Sequence, residues 1–280
     1  MTPYDSDYWS AILKGSIEGA FGPAKIAFTM RGGFIFNGDN EYEYEEYEDS
    51  VMQHRTDMRG DIEGWSVGGD FWLRYPLDKD LSIPFVLKME YQKKTRDGEF
   101  LEIWKYKNTE EDLQIEVGGG LDKELVKGTR IAAGLYYGYL SSENSISWIG
   151  YDHKKYPDLT DHQIILKLSG EKEFSPMLAL GMGLNFFYGW MKENYEYNLM
   201  DPPFYWKNSD RTSLDGYHWG IVASLGGTVK FERFSLEPFI NGGYQKMKLD
   251  GGGFSYIGVP QEMSKLREEW SIGGGLSIKF

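Results

Sequence analysis

The chain has 280 residues, a net charge of −13, 16% aromatic residues, 35 Gly and no Cys. That is enough for one large β-domain, and the acidic balance argues against a nucleic-acid partner. No apolar run approaches the roughly 18 residues of a membrane helix, and position 1 opens no charged and apolar leader, so an exported protein would have lost its signal peptide.

Residues 1–23 do not alternate cleanly. Tyr8, Trp9, Ile12, Leu13 and Ile17 fall at helical spacing, and Gly22-Pro23 ends the stretch. The spacing predicts a short helix or irregular arm at a periplasmic rim.

From Lys25 the period changes to two. Ile26, Phe28, Met30, Phe34 and Phe36 share one face, opposite Ala27, Thr29, Arg31 and Gly33. The turn residues Asn37-Gly38-Asp39-Asn40 and the acidic run from Glu41 to Asp49, with three Tyr, open a long solvated loop. It lacks EF-hand ligand spacing, so no metal site is expected there.

The alternation then repeats. Trp65, Val67, Phe71, Leu73 and Tyr75 oppose Ser66, Asp70 and Arg74; Phe85, Leu87, Met89 and Tyr91 oppose Lys88 and Glu90. Leu113, Ile115 and Val117 oppose Gln114 and Glu116, and Ile131, Leu135, Tyr137 and Tyr139 oppose Arg130 and Tyr136. Ile164, Leu166 and Leu168 oppose Gln163 and Lys167. Leu178 to Trp190, Trp219 to Phe231 and Leu236 to Tyr244 follow suit, with Pro238 on the outward face marking a bulge or break. The last eleven residues, from Trp270 to Phe280, place an aromatic at each end of an apolar face.

Each unit is a strand of about ten residues, apolar on one side, with aromatics at both rims, as a bilayer-facing strand requires. The pattern predicts an all-β, antiparallel up-and-down transmembrane barrel of about ten strands over 24–280, with both ends on one side and Phe280's strand pairing the one near Lys25. Short turns fall near 76–81, 122–128, 172–176 and 231–234; long loops fall near 38–63, 94–111, 142–160, 192–216 and 249–267. A soluble barrel or sandwich would instead bury the apolar face and leave mostly solvated charge opposite.

That architecture implies a monomer in the outer membrane of a Gram-negative bacterium, touching lipid and lipopolysaccharide, with no cofactor. The inward set is Arg31, Asp70, Arg74, Lys88, Glu90, Glu116, Arg130, Lys167, Glu171 and Glu237. Its mixed signs allow a paired plug or a narrow conducting path. Loops 38–63 and 192–216, the latter rich in Tyr, Phe and Trp, could receive an extracellular ligand or protein.

The strand count, Phe187-Tyr188-Gly189-Trp190 and the closing Gly275-Leu276-Ser277-Ile278-Lys279-Phe280 resemble the omptin family of outer-membrane proteases. The resemblance implies an Asp-x-Asp pair in the second loop and an Asp-x-His pair in the fourth, activating a water. This chain offers Asp97-Gly98-Glu99 and Asp215-Gly216-Tyr217-His218, the second one residue longer than that motif. The alternative function is therefore an omptin-like endopeptidase using Asp97, Glu99, Asp215 and His218; the main reading is a non-enzymatic structural, adhesion-type or narrow-channel barrel.

Overall fold

A computed structural model describes the backbone over 5–48, 51–100, 104–148, 151–199, 208–254 and 260–279, and side chains over 9–36, 61–98, 107–145, 158–194, 213–252 and 264–278. The described residues form eleven strands in one antiparallel sheet, each paired with its sequence neighbours in the order β1 to β11. They are β1 (Asp5–Phe21), β2 (Ala24–Glu48), β3 (Val51–Pro76), β4 (Leu81–Phe100), β5 (Trp104–Val126), β6 (Thr129–Trp148), β7 (Tyr151–Ser175), β8 (Leu178–Leu199), β9 (Asn208–Lys230), β10 (Ser235–Phe254) and β11 (Pro260–Lys279).

Residues 5–21 form a strand, not the expected helix. Trp9, Leu13 and Ile17 recur every four residues, a spacing that satisfies both a helix and every second turn of a strand's pleat. The positions that separate the two periods, Ala11, Gly15 and Gly19, are small and give little signal. Pairing decides the matter: β1 runs against β2 from Asp5↔Glu41 to Phe21↔Ala24. An extra strand puts the two ends of the sheet at opposite rims. It also occupies the flank of β2 that the Phe280 strand was expected to take, so β11 pairs only with β10 among the described residues.

The short turns fall between β3 and β4, β5 and β6, β7 and β8, and β9 and β10, as the sequence predicts. Gly22 and Gly128 take positive φ (57° and 77°) in two of the two-residue reversals, a conformation that costs glycine little. At the other rim the predicted long loops are mostly strand. The Glu/Tyr run belongs to β2 and pairs with β3 through Tyr42↔Met58 and Tyr44↔Thr56. Tyr and Glu alternate there, and Tyr favours extended backbone, so the pattern outweighs the acidic composition. Strands of 17 to 26 residues exceed the roughly ten needed to cross a bilayer and extend as ribbons beyond one rim. In the 192–216 segment β8 reaches Leu199 and β9 starts at Asn208; Pro202, Pro203, Phe204, Tyr205 and Trp206 lie outside the described residues.

Pro238 keeps its partner Leu276 on β11, while the β9 ladder skips from Leu236↔Val229 to Phe239↔Gly226 without a change of register. Its missing N–H interrupts one ladder and shifts nothing.

The two faces of the sheet differ in kind. On the outer face Leu135 (60%), Met182 (66%), Leu276 (61%) and Ile272 (83%) are open to the surroundings. Buried apolar residues are only Ala24, Ile62, Leu214 and Leu249 among the described residues. Aromatic rings meet at the ribbon-side rim of this face: Trp65 with Tyr91, Trp219 with Tyr244, and Tyr244 with Trp270. The inner face carries the charges, and it curls enough for Lys265 of β11 to reach Glu193 of β8.

Candidate functional site

The inner face is built from cross-strand register. Thr29, Asp70, Lys88 and Glu116 lie in one row, and Arg31, Gly68 and Glu90 in the next. Oppositely charged side chains therefore meet without leaving their strands. The Arg31 guanidinium reaches Asp70 Oδ2 at 2.8 Å and Glu90 Oε2 at 2.9 Å. Gly68 sits between them, and a Cβ there would lie 3.1 Å from Arg31 Nε. Its bare backbone lets the guanidinium lie across β3.

Glu116 receives Lys167 Nζ at 2.6 Å and Lys88 Nζ at 3.5 Å. The same Lys167 ammonium stands 4.4 Å from the Tyr136 ring centroid. Asp122 sits between Arg74 (2.8 Å) and Arg130 (2.9 Å), and Arg74 Nε also donates to Ser82 Oγ. Asp122 is inward by parity with Gln114 and Glu116, and the structure adds it to the charged set. Glu171 and Glu237 instead line a cavity of about 720 Å³ bounded by β5 to β11, together with Asp122, Arg130, Ser224 and Phe239.

Nearer the ribbons lies a pair that sequence reasoning missed. His218 Nε2 is 2.7 Å from Asp161 Oδ1, with side-chain exposures of 8% and 2%. Gln163 Nε2 donates to the other carboxylate oxygen at 2.6 Å. His218 belongs to β9 and Asp161 to β7, so the imidazole must cross β8. It does so over Gly189, the residue directly opposite it. A Cβ at Gly189 would run into His218 Nε2, and the Phe187 ring packs beside the imidazole at 5.6 Å. Beyond this pair, Lys265 Nζ donates to both oxygens of Glu193 at 3.0 and 3.2 Å. Glu193 pairs in register with Leu214 and Lys265 with Leu249, so this bridge spans the two most buried leucines.

Of the four catalytic candidates, the described ones, Asp97, Asp215 and His218, are not brought together. Asp215 and His218 are three apart on one strand and face opposite sides, so His218 takes Asp161 instead. Asp215 points outward and is exposed. Asp97 also shares the outer parity of Tyr91, and its carboxylate lies 3.7 Å from Lys107 Nζ. The side chain of Glu99 lies outside the described residues, as do those of His54 and His153. His162, next to Asp161 in sequence, faces outward: its Nδ1 meets Tyr137 OH at 2.6 Å and its ring stacks on Trp190. Only the register across three strands could have named the Asp161–His218 pair, because nothing in the linear spacing joins them.

Above the apolar belt, ion pairs ring the outer face. Lys93 and Tyr91 hold the Glu111 carboxyl below its ordinary value, and Lys248 and Ser264 do the same for Asp250. Among the described residues no cluster of three or more His, Asp or Glu is arranged to hold a metal ion.

No protein-family model matches the chain, and no curated protein is similar to it. Among solved structures, the ferric yersiniabactin uptake receptor FyuA of Yersinia pestis matches 98% of this chain at 10% identity with a TM-score of 0.40. The translocator domain of the autotransporter NalP of Neisseria meningitidis matches 91% at 15% identity, TM-score 0.38, and the toluene transporter TodX of Pseudomonas putida 98% at 8%, TM-score 0.37. The chain spans 59% of the FyuA chain, 85% of the NalP domain and 87% of TodX. Likeness this loose transfers no residue and no activity; what the chain can be called is an all-β, eleven-stranded antiparallel meander.

Proposed function

We propose that this chain is an outer-membrane β-barrel protein, non-enzymatic, whose interior is braced by ion pairs and whose ribbons project from the cell surface. The observation that carries the reading is the inversion of the two faces. Large apolar side chains stand open on the outside, while Arg31, Arg74, Glu116 and Asp122 are paired within. Water outside would reverse that arrangement; a hydrocarbon solvent explains it, and the rings at the ribbon-side rim suit the headgroup depth. The Asp161–His218 pair and the Glu193–Lys265 bridge put paired side chains on the ribbon-side half of the inner face, which supports a braced scaffold over an open pore.

Refolding into detergent micelles or lipid vesicles tests the reading. A folded form that migrates differently from the boiled form on SDS gels, with silent planar bilayers, is the expected outcome. Stepwise conductance overturns the filled lumen, and a protein that stays soluble and monomeric without detergent overturns the membrane placement.

One observation favours a second reading, a hydrolase of omptin type: the buried His–carboxylate pair, an arrangement that orients imidazole for general-base work. Against it, Asp97 and Asp215 lie on the other face. Cleavage of a fluorogenic peptide set that disappears in His218→Ala supports the hydrolase; no cleavage by the refolded wild-type chain removes it.

A further inference from the structure

The two edges of the sheet, β1 and β11, leave a row of backbone N–H and C=O groups unpaired on each. In a hydrocarbon medium such groups must find partners, so the sheet has to close. Because the strands number eleven, β1 and β11 run in the same direction, from the ribbon rim to the turn rim. A second copy inserted in the same orientation offers strands running the same way, so oligomerisation supplies no antiparallel partner for either edge. Closure of β2 on β11 would require evicting β1 from a ladder that runs unbroken in register from Trp9↔Phe36 to Phe21↔Ala24. It would also strip Leu13, Ile17 and Phe21 out of the apolar belt.

Resting on the membrane-barrel reading, we infer that the barrel closes on itself through a parallel β1–β11 seam, with Trp9 level with Trp270. The two sequences fit each other in that register. On the outer face Leu13 comes beside Gly274 and Gly15 beside Leu276, so large meets small at successive rows. On the inner face Ile12 and Lys14 come beside Gly273 and Gly275, which have no side chain to obstruct them. Ser10 and Ser16 come beside Ser271 and Ser277, and the position of Glu18 beside that of Lys279. Ile12 is inward by parity yet 70% exposed, and Ile272 on the facing edge is 83% exposed; the seam covers both. Parallel pairing is the less stable kind per residue, so this joint is the weakest in the wall, and it borders the cavity through Ser277.

The chain has no cysteine, which makes cross-linking direct. Two double variants, Ser10→Cys with Ser271→Cys and Ser16→Cys with Ser277→Cys, change one atom at each position and probe two depths. Folded in detergent and oxidised, both are expected to form an intramolecular disulfide, read as a gel shift that reverts on reduction, since neighbouring strands lie within disulfide reach. Thr29→Cys with Ser277→Cys, one strand further along, is expected to stay reduced. A disulfide in that third variant, a linked dimer, or a folded form that links in neither pair overturns the seam. Loss of the folded gel form in the wild-type chain too would instead remove the barrel reading, and the seam with it.

Discussion

The inner face of the sheet has two unlike walls. From β2 to β7 it is a lattice of guanidinium, ammonium and carboxylate groups, each held by a partner one or two strands away. From β8 to β11 the turn-side wall is mostly Gly and Ser: Gly181, Gly183, Ser224, Gly226, Ser277. The charged wall fills space with side chains and needs every charge matched. The small-residue wall lets neighbouring groups lie across it and leaves the cavity of about 720 Å³. Where the walls meet, the most buried ionisable pair joins Asp161 of the first to His218 of the second across Gly189 of β8, which has no side chain to block the imidazole. Rigidity therefore depends on the charges, and their placement depends on the glycines.

The largest test removes one half of that buried pair. Asp161→Ala leaves His218 and Gln163 without their acceptor in a closed site. Breaking a buried pair from one side costs about 3–5 kcal/mol, whereas replacing both residues by apolar ones of similar size is close to neutral. Urea unfolding in lipid vesicles should show the single variant far less stable than Asp161→Leu combined with His218→Leu. Equal losses would mean that the pair is a passenger.

Next comes the direction of the two faces. Leu166→Arg puts a charge in the middle of the outer belt and should cost about 2–4 kcal/mol, as a cation at the bilayer midplane does. Gly181→Arg, on the wall of the cavity beside Glu171, should be tolerated far better. The same unfolding measurement reads both, and equal sensitivity would deny that the outer face meets lipid.

Gly189→Ala sharpens the dependence of charge on glycine. The added methyl must displace the imidazole, an overpacking worth about 1–3 kcal/mol. The ring chemical shifts of His218 should move with it, whereas Gly181→Ala, with only Gly170 O 3.8 Å from its new methyl, should leave them unchanged.

The smallest effect lies on the outer face. The Glu111 carboxyl is held below its ordinary value of 4.5 by Lys93 and Tyr91. A lowered folded value means that its contribution is present above the ordinary value and is lost as pH falls through the folded one. Carboxyl NMR should show Glu111 titrating on the acid side of 4.5, and Lys93→Met should bring it back up. An unmoved titration would leave this rim pair without influence.

Period two in the residues themselves determined the strands from β2 to β11, their faces and their short turns. It did so because burial of alternate side chains needs nothing beyond the pleat. It also determined that Arg31, Arg74, Glu116 and Lys167 share one face. Two elements misled for a physical reason. Spacing of four on β1 is common to helix and strand, and acidic composition hid the alternation of Glu and Tyr in β2. Only the tertiary structure decided register, and through register who meets whom. Asp161 and His218 are 57 residues apart, on strands separated by a third, and no local pattern encodes their meeting. Pairing β7, β8 and β9 in one particular alignment, with a glycine at the crossing point, does.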